Sequence, residues 1–133
     1  STEWLVVRTQ SSIEKPQNIF YDFACIFDAL HDLGDPVGAA QHIYSVLSED
    51  GTFMVVELLA GDSLTDNLNP LGTLFYSFST LVCVPNSLSQ EVGLGLGAQA
   101  GEKRLTKVLQ EASFTKVRRI QEADTNIVLE VKK

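Results

Sequence analysis

Apolar residues in this chain fall into blocks whose spacing changes from the period of a strand to that of a helix and back. Tyr21–Leu30 (YDFACIFDAL) is apolar without clean alternation, the pattern of a central strand covered on both faces in a parallel sheet. Asp35-Pro36 then supplies a helix cap followed by proline at the first helical position, where its missing N–H costs nothing. Val37, Ala40, Ile43 and Leu47 recur at three and four residues and so share one face, and Gly51 is placed to close that helix. Thr52–Leu59 (TFMVVELL) reads as a second buried strand. Strand, helix and strand in this order imply a right-handed parallel crossover, and the fold class is α/β.

Asn69-Pro70 repeats the cap-and-proline signal ahead of Leu71, Leu74, Phe75, Phe78, Leu81 and Val82, which predicts an amphipathic helix ended by Pro85. Residues 86–101 are rich in Ser and Gly and read as a long, flexible loop with one irregular turn near Leu88–Val92. Glu102–Ala112 gives a further helix with Leu105, Val108, Leu109 and Ala112 on one face. Lys116–Ile120 and Asn126–Val131 alternate well enough to be strands, and so short a link between them makes the pair antiparallel. Upstream, residues 3–8 form a short apolar run expected to be one strand, followed by a loop.

Charge narrows the partners. The 133 residues carry a formal net charge of -7, and the few Lys and Arg, mostly in the last helix and strands, read as solvated faces. A nucleic-acid partner is not expected, because phosphate binding needs clustered cations. No apolar run approaches the roughly 20 residues of a membrane span, so no membrane partner is expected either. Cys25 and Cys83 lie in apolar runs, away from a second Cys or a His at ligand spacing, as expected of small buried hydrophobes in a reduced, cytoplasmic protein that binds no metal.

YDFACIFDALHDLGDP, a helix, then LSEDGTFMVVEL resemble the fourth strand, fourth helix and fifth strand of class I S-adenosylmethionine-dependent methyltransferases. The segment DNLNPLGTLFYSFSTLVCVPNSLSQEVGLGLGAQAGE is similar to a subgroup of bacterial, O-methyltransferase-like enzymes with a winged-helix-like N-terminal domain. The resemblance runs from about Tyr21 to Lys133. It implies a truncated Rossmann-like sheet of about four to five strands with an antiparallel C-terminal pair, residues 21–133 being the C-terminal half of such a domain. In that family a glycine-rich turn after the first strand and an acidic residue ending the second hold the cofactor. The twenty residues before Tyr21 contain no glycine. Residues 1–20 are therefore expected to be a strand and loop in place of the cofactor-binding half.

His31, just after the strand, is the sharpest chemical candidate, since ligands of open α/β sheets bind beyond the carboxyl ends of the strands and imidazole accepts protons near neutral pH. It resembles the histidine of the HDW-type segment that removes a proton from the substrate hydroxyl, with Leu33 in the place of the tryptophan. Asp32 and Asp35 could orient the imidazole or cap the following helix. The resemblance implies that the backbone at Asp28 and Ala29 lies along the cofactor. Glu57 faces the same side as His31 and could line the site or be solvated, and His42 reads as a boundary residue. Asp66, Asn67 and Asn69 could hold polar groups of a substrate, while Phe75 and Tyr76 could form core or an apolar substrate wall. Gly93, Gly95 and Gly97, with Glu91, could be a displaced cofactor turn, but no strand precedes them; the resemblance places this segment on the substrate side as a lid.

Three functions stay open: a methyltransferase-like fragment that keeps the substrate side and neither binds S-adenosylmethionine nor transfers methyl groups alone, a half-enzyme completed as an O-methyltransferase by a partner chain, and a non-enzymatic module for a small apolar ligand or for oligomerisation. A relic without selected activity is a variant of the last. The first strand of the complete fold would pair with 21–30, so its absence leaves an edge that either Trp4–Arg8 fills as a substitute strand or a second copy fills, giving a homodimer.

Overall fold

The computed structural model describes residues 20–133. The strand expected at residues 3–8 lies outside the described residues, as does nearly all of the expected 1–20 unit. Four strands, β1 (Tyr21–Phe27), β2 (Leu47–Leu58), β3 (Lys116–Glu122) and β4 (Asn126–Lys132), form one sheet in the order β1-β2-β4-β3. β1 runs parallel to β2, while β4 is antiparallel to both β2 and β3. The helices are α1 (Pro36–Val46), α2 (Pro70–Phe78), α3 (Val84–Leu88) and α4 (Gly101–Glu111). This is the expected α/β fragment with its C-terminal hairpin.

Alternation along the inner strands builds the core. Phe53 and Val55 of β2 and Ile127, Leu129 and Val131 of β4 are buried, and they pack against Ala40 and Ile43 of α1 and Leu105, Val108 and Leu109 of α4. Phe114 locks the end of α4 to both partners, edge-on to Tyr44 at 5.2 Å and tilted on Phe53 at 5.8 Å. A smaller cluster of Phe75, Cys83 and Ala98 lies against Leu58 and Leu71, so α2 and the segment before α4 pack at the carboxyl end of β2. Among the described residues no helix is long and apolar enough to cross a membrane.

Both cap-and-proline signals hold. Asp35 accepts a hydrogen bond from the Gly38 N–H at 2.7 Å and Asn69 one from the Gly72 N–H at 2.8 Å, each with proline in the first turn. The stop signals do not. α1 ends at Val46 because Leu47 is already extended, and Gly51 sits inside β2 where the register slips between Tyr21/Leu47 and Phe23/Thr52. Space explains that glycine: a Cβ on Gly51 would lie 2.7 Å from Leu47 Cγ.

Pro85 likewise does not end the helical run. Ser79–Cys83 forms a π turn, and α3 starts straight after it with Pro85 in its first turn. A proline there needs no N–H partner, and the widened turn relieves its ring. The chain therefore stays helical to Leu88. The stretch that follows is irregular, as expected of a loop, and it is packed against the fold. Leu96, Ala98 and Ala100 are buried, and the Leu94 and Gly97 N–H groups donate to the carbonyls of Gly34 and His31. Gly97 has φ of +76°, and Ser79 Oγ stands 2.5 Å from where its Cβ would be, so no other residue fits without displacing that contact.

The strand expected to be covered on both faces departs furthest from its pattern. Among the described residues β1 has β2 as its one neighbour and stands at the sheet edge. Phe23 and Phe27 are more than half exposed, and Cys25 is exposed rather than buried.

Candidate functional site

β1 and β2 lie parallel with Phe27 beside Val56, so their carboxyl ends come out together. One residue further along β2, Glu57 belongs to the row of Phe53 and Val55 that faces the core, which buries its carboxylate to 2% exposure. After β1 the chain turns sharply at Asp28, whose φ is +44°, and enters a 3-10 turn over Leu30–Asp32. That turn is short of internal hydrogen bonds at its start. Glu57 supplies them: Oε1 accepts from the Leu30 N–H at 2.8 Å and the His31 N–H at 3.3 Å, and Oε2 lies 2.6 Å from His31 Nδ1.

His31 is itself almost wholly buried, and its other ring nitrogen, Nε2, lies 3.3 Å from Asp32 Oδ1. Both nitrogens thus face carboxylates. Burial pulls the imidazole pKa down, but the Glu57 hydrogen bond and charge, with the charges of Asp32 and Asp28, outweigh it and leave the pKa above the ordinary value. The Glu57 bond fixes Nδ1 as the protonated nitrogen and leaves Nε2 as the one that exchanges its proton. This dyad is the arrangement of an oriented base.

The surrounding turn is clamped from α3. Asn86 Nδ2 and Gln90 Nε2 donate to the Asp32 carbonyl, Ser87 Oγ donates to that of Leu33, and Gln90 Oε1 accepts from the Gly34 N–H at 2.8 Å. Gly97 closes the other side by donating to the His31 carbonyl. Cys83, at the end of the π turn, also comes to the cluster, its thiol within 4.8 Å of the donor atoms of His31 and Asp32. Burial, then the neighbouring Asp32 carboxylate, pushes this thiol up to about 11, so it is protonated near neutral pH.

Of the residues singled out in the sequence, His31, Asp32 and Glu57 are brought together. Asp28 adjoins them. Its carboxylate accepts from Asn126 Nδ2 at 2.7 Å, and its pKa is raised by burial and by the charge of Glu57, against His31 and Asn126. Ala29 is half-buried and leads into the turn, its carbonyl accepting from the Asp32 N–H. Asn67 stands apart: Oδ1 accepts from the Gly61 N–H, and Nδ2 donates to the carbonyls of Gly61 and Ser63. Its amide holds its own loop together. Tyr76 lines a shallow groove along α2 with Thr73, Ser77, Thr80 and Leu81, whose lining includes none of the dyad. Gly93, Gly95 and Gly97 follow α3 rather than a strand, so they lack the context of a cofactor-cradling turn.

Sequence reasoning missed Cys83, Asn86, Ser87 and Gln90. The helical spacing of Asn86, Ser87 and Gln90, which puts them on one face, is the one signal for the last three. Cys83 had none, because a π turn decides where it points.

If the Glu57 carboxylate organises the site, Glu57→Ala leaves two N–H groups and the imidazole Nδ1 without their partner in the interior. Urea unfolding should then show a loss of about 3–5 kcal/mol. The contribution of the pair depends on pH in a defined direction: a His with a raised folded pKa stabilises fully below its unfolded value of about 6.5 and less as pH climbs through the folded value. The deficit of the variant relative to wild type should shrink accordingly above neutrality, and a deficit that grows there contradicts the assignment.

No protein-family model matches the chain, and no curated protein matches it. Solved structures do. A structure described as PigF with SAH matches with a TM-score of 0.59 at 19% identity, over 85% of this chain and 30% of that one. Human N-acetylserotonin methyltransferase in complex with SAM gives 0.61 at 22%, over 84% and 29%. An O-methyltransferase family protein from Burkholderia thailandensis gives 0.59 at 16%, over 88% and 31%. The chain spans about 30% of the length of these proteins, and over that span it has the fold of part of a methyltransferase.

Proposed function

We propose that residues 21–133 form the substrate-side part of an S-adenosylmethionine-dependent O-methyltransferase site, with His31 as the base, Glu57 as its orienting partner and Asp32 beside Nε2. What supports the reading is one contact, the 2.6 Å pairing of His31 Nδ1 with a carboxylate buried at the carboxyl ends of two parallel strands. The cofactor supplies an electrophilic methyl group when bound. The work of this chain is on the proton: Nε2 takes it from a substrate hydroxyl, and the Glu57 carboxylate stabilises the imidazolium that results.

The described residues fit one margin of that cofactor. Asp28 is exposed at the turn that ends β1, where the resemblance places the cofactor's edge, but no glycine-rich strand-to-helix turn is found among them. The remaining contacts are assigned to elements outside these residues or to a partner chain. The chain by itself is accordingly assigned no methyl transfer. The alternative of a small-ligand module rests on the separate groove that Tyr76 lines; Asn67 is kept as the brace of the neighbouring loop. The free thiols of Cys25 and Cys83 fit a reducing, cytoplasmic setting.

Titrating the 133-residue chain tests this division of roles. Simple phenols should shift the His31 imidazole signals in NMR spectra, whereas calorimetry with S-adenosylmethionine should show no binding at micromolar concentration. Micromolar cofactor affinity contradicts the division, and phenols that leave His31 unmoved contradict its substrate-side role. The β1 edge yields a second test. Its N–H and C=O groups that have no strand partner among the described residues, with Phe23 and Phe27 exposed beside them, suit pairing with another strand. We assign it to a two-fold homodimer, expected as a dimer in light scattering at micromolar concentration; a strict monomer sinks that assignment.

A further inference from the structure

We propose that His31 Nε2, Asp32 and Cys83 Sγ form a three-ligand site for a soft divalent cation of the Zn²⁺ type. Three donors of different chemistry, nitrogen, oxygen and sulfur, lie within 4.8 Å of one another. Tetrahedral zinc holds such donors at about 2.0–2.3 Å, which places them roughly 3.5 Å apart. His31 Nε2 and Asp32 Oδ1 are already at 3.3 Å. Closing the thiol needs a shift of about 1 Å, within the reach of side-chain rotation.

Two further observations point to a ligand. Asp32 Oδ1 is buried and faces His31 Nε2 at 3.3 Å without a well-formed hydrogen bond among the described residues, although burying a carboxylate oxygen without one is costly. Glu57 holds Nδ1 at 2.6 Å, which directs Nε2 into the cluster as the carboxylate behind a metal-bound histidine does. The π turn Ser79–Cys83 is what brings the thiol there, and such turns are frequent at functional sites. The donor set decides the metal class: thiolate and imidazole select zinc over magnesium or calcium, which prefer oxygen alone. On binding, the thiol releases its proton to solvent and the sulfur becomes an anionic ligand. Three protein ligands leave a fourth position open, and the ion occupies Nε2, so metal binding and proton abstraction by His31 exclude each other.

The site does not rest on the methyl-transfer reading, and its test needs no activity. Cobalt(II) added to the chain should give a thiolate-to-metal charge-transfer band that Zn²⁺ displaces. Cys25→Ser, at the exposed thiol on β1, should keep the band, and Cys83→Ser should lose it. Asp32→Asn keeps the shape of a partly exposed side chain while removing its charge, and Glu57→Gln keeps the length behind the histidine. Each should weaken cobalt affinity by about 10–100-fold, with circular dichroism reporting that each variant is folded. Absence of the band in wild type, its loss in Cys25→Ser, or unchanged affinity in folded Asp32→Asn overturns the proposal.

Discussion

The buried carboxylate of Glu57 is the constraint on which the site depends. Folding removes it from water at a cost of several kcal/mol unless it is compensated, and the compensation comes from two backbone N–H groups and one imidazole. Those three partners belong to the turn that leaves β1. Satisfying the charge therefore shapes the turn, buries His31 and sets which nitrogen faces outward. Stability and chemistry share one contact.

The rest of the architecture serves that contact. Parallel pairing of β1 and β2 brings the two strand ends level, and the alternation that buries Phe53 and Val55 also drives Glu57 inward. α3 and the segment before α4 then grip residues 31–34 from outside, through Ser87, Gln90 and Gly97. A histidine held from so many directions has few rotamers open to it, the condition for placing a proton acceptor accurately. The structural matches agree with this construction at the level of fold. At 22% identity and below they carry no chemistry across to this chain.

Local signals were legible in the sequence and long-range ones were not. Asp35-Pro36 and Asn69-Pro70 announce helix starts because a cap and its proline act within one turn, and the structure places both as expected. Gly51 and Pro85 misled for the opposite reason: a slipped register and a π turn changed the meaning of residues that usually stop helices. His31 could be found from its place after a strand. Whether Glu57 was solvated or buried against it could not, because that depends on the register of β1 with β2. Cys83 lies still further from reach, as its position depends on how one turn of helix is wound. The exposed face of β1 shows the same limit, since an apolar run tells that a strand wants cover without telling what provides it.

The central claim is that Glu57 governs the protonation of His31. The direct measurement is an NMR titration of the His31 imidazole in wild type and in Glu57→Gln. The account predicts a wild-type midpoint above the ordinary imidazole value of about 6.5 and a lower midpoint in the variant. A wild-type midpoint below that value, or one that Glu57→Gln leaves in place, would contradict it.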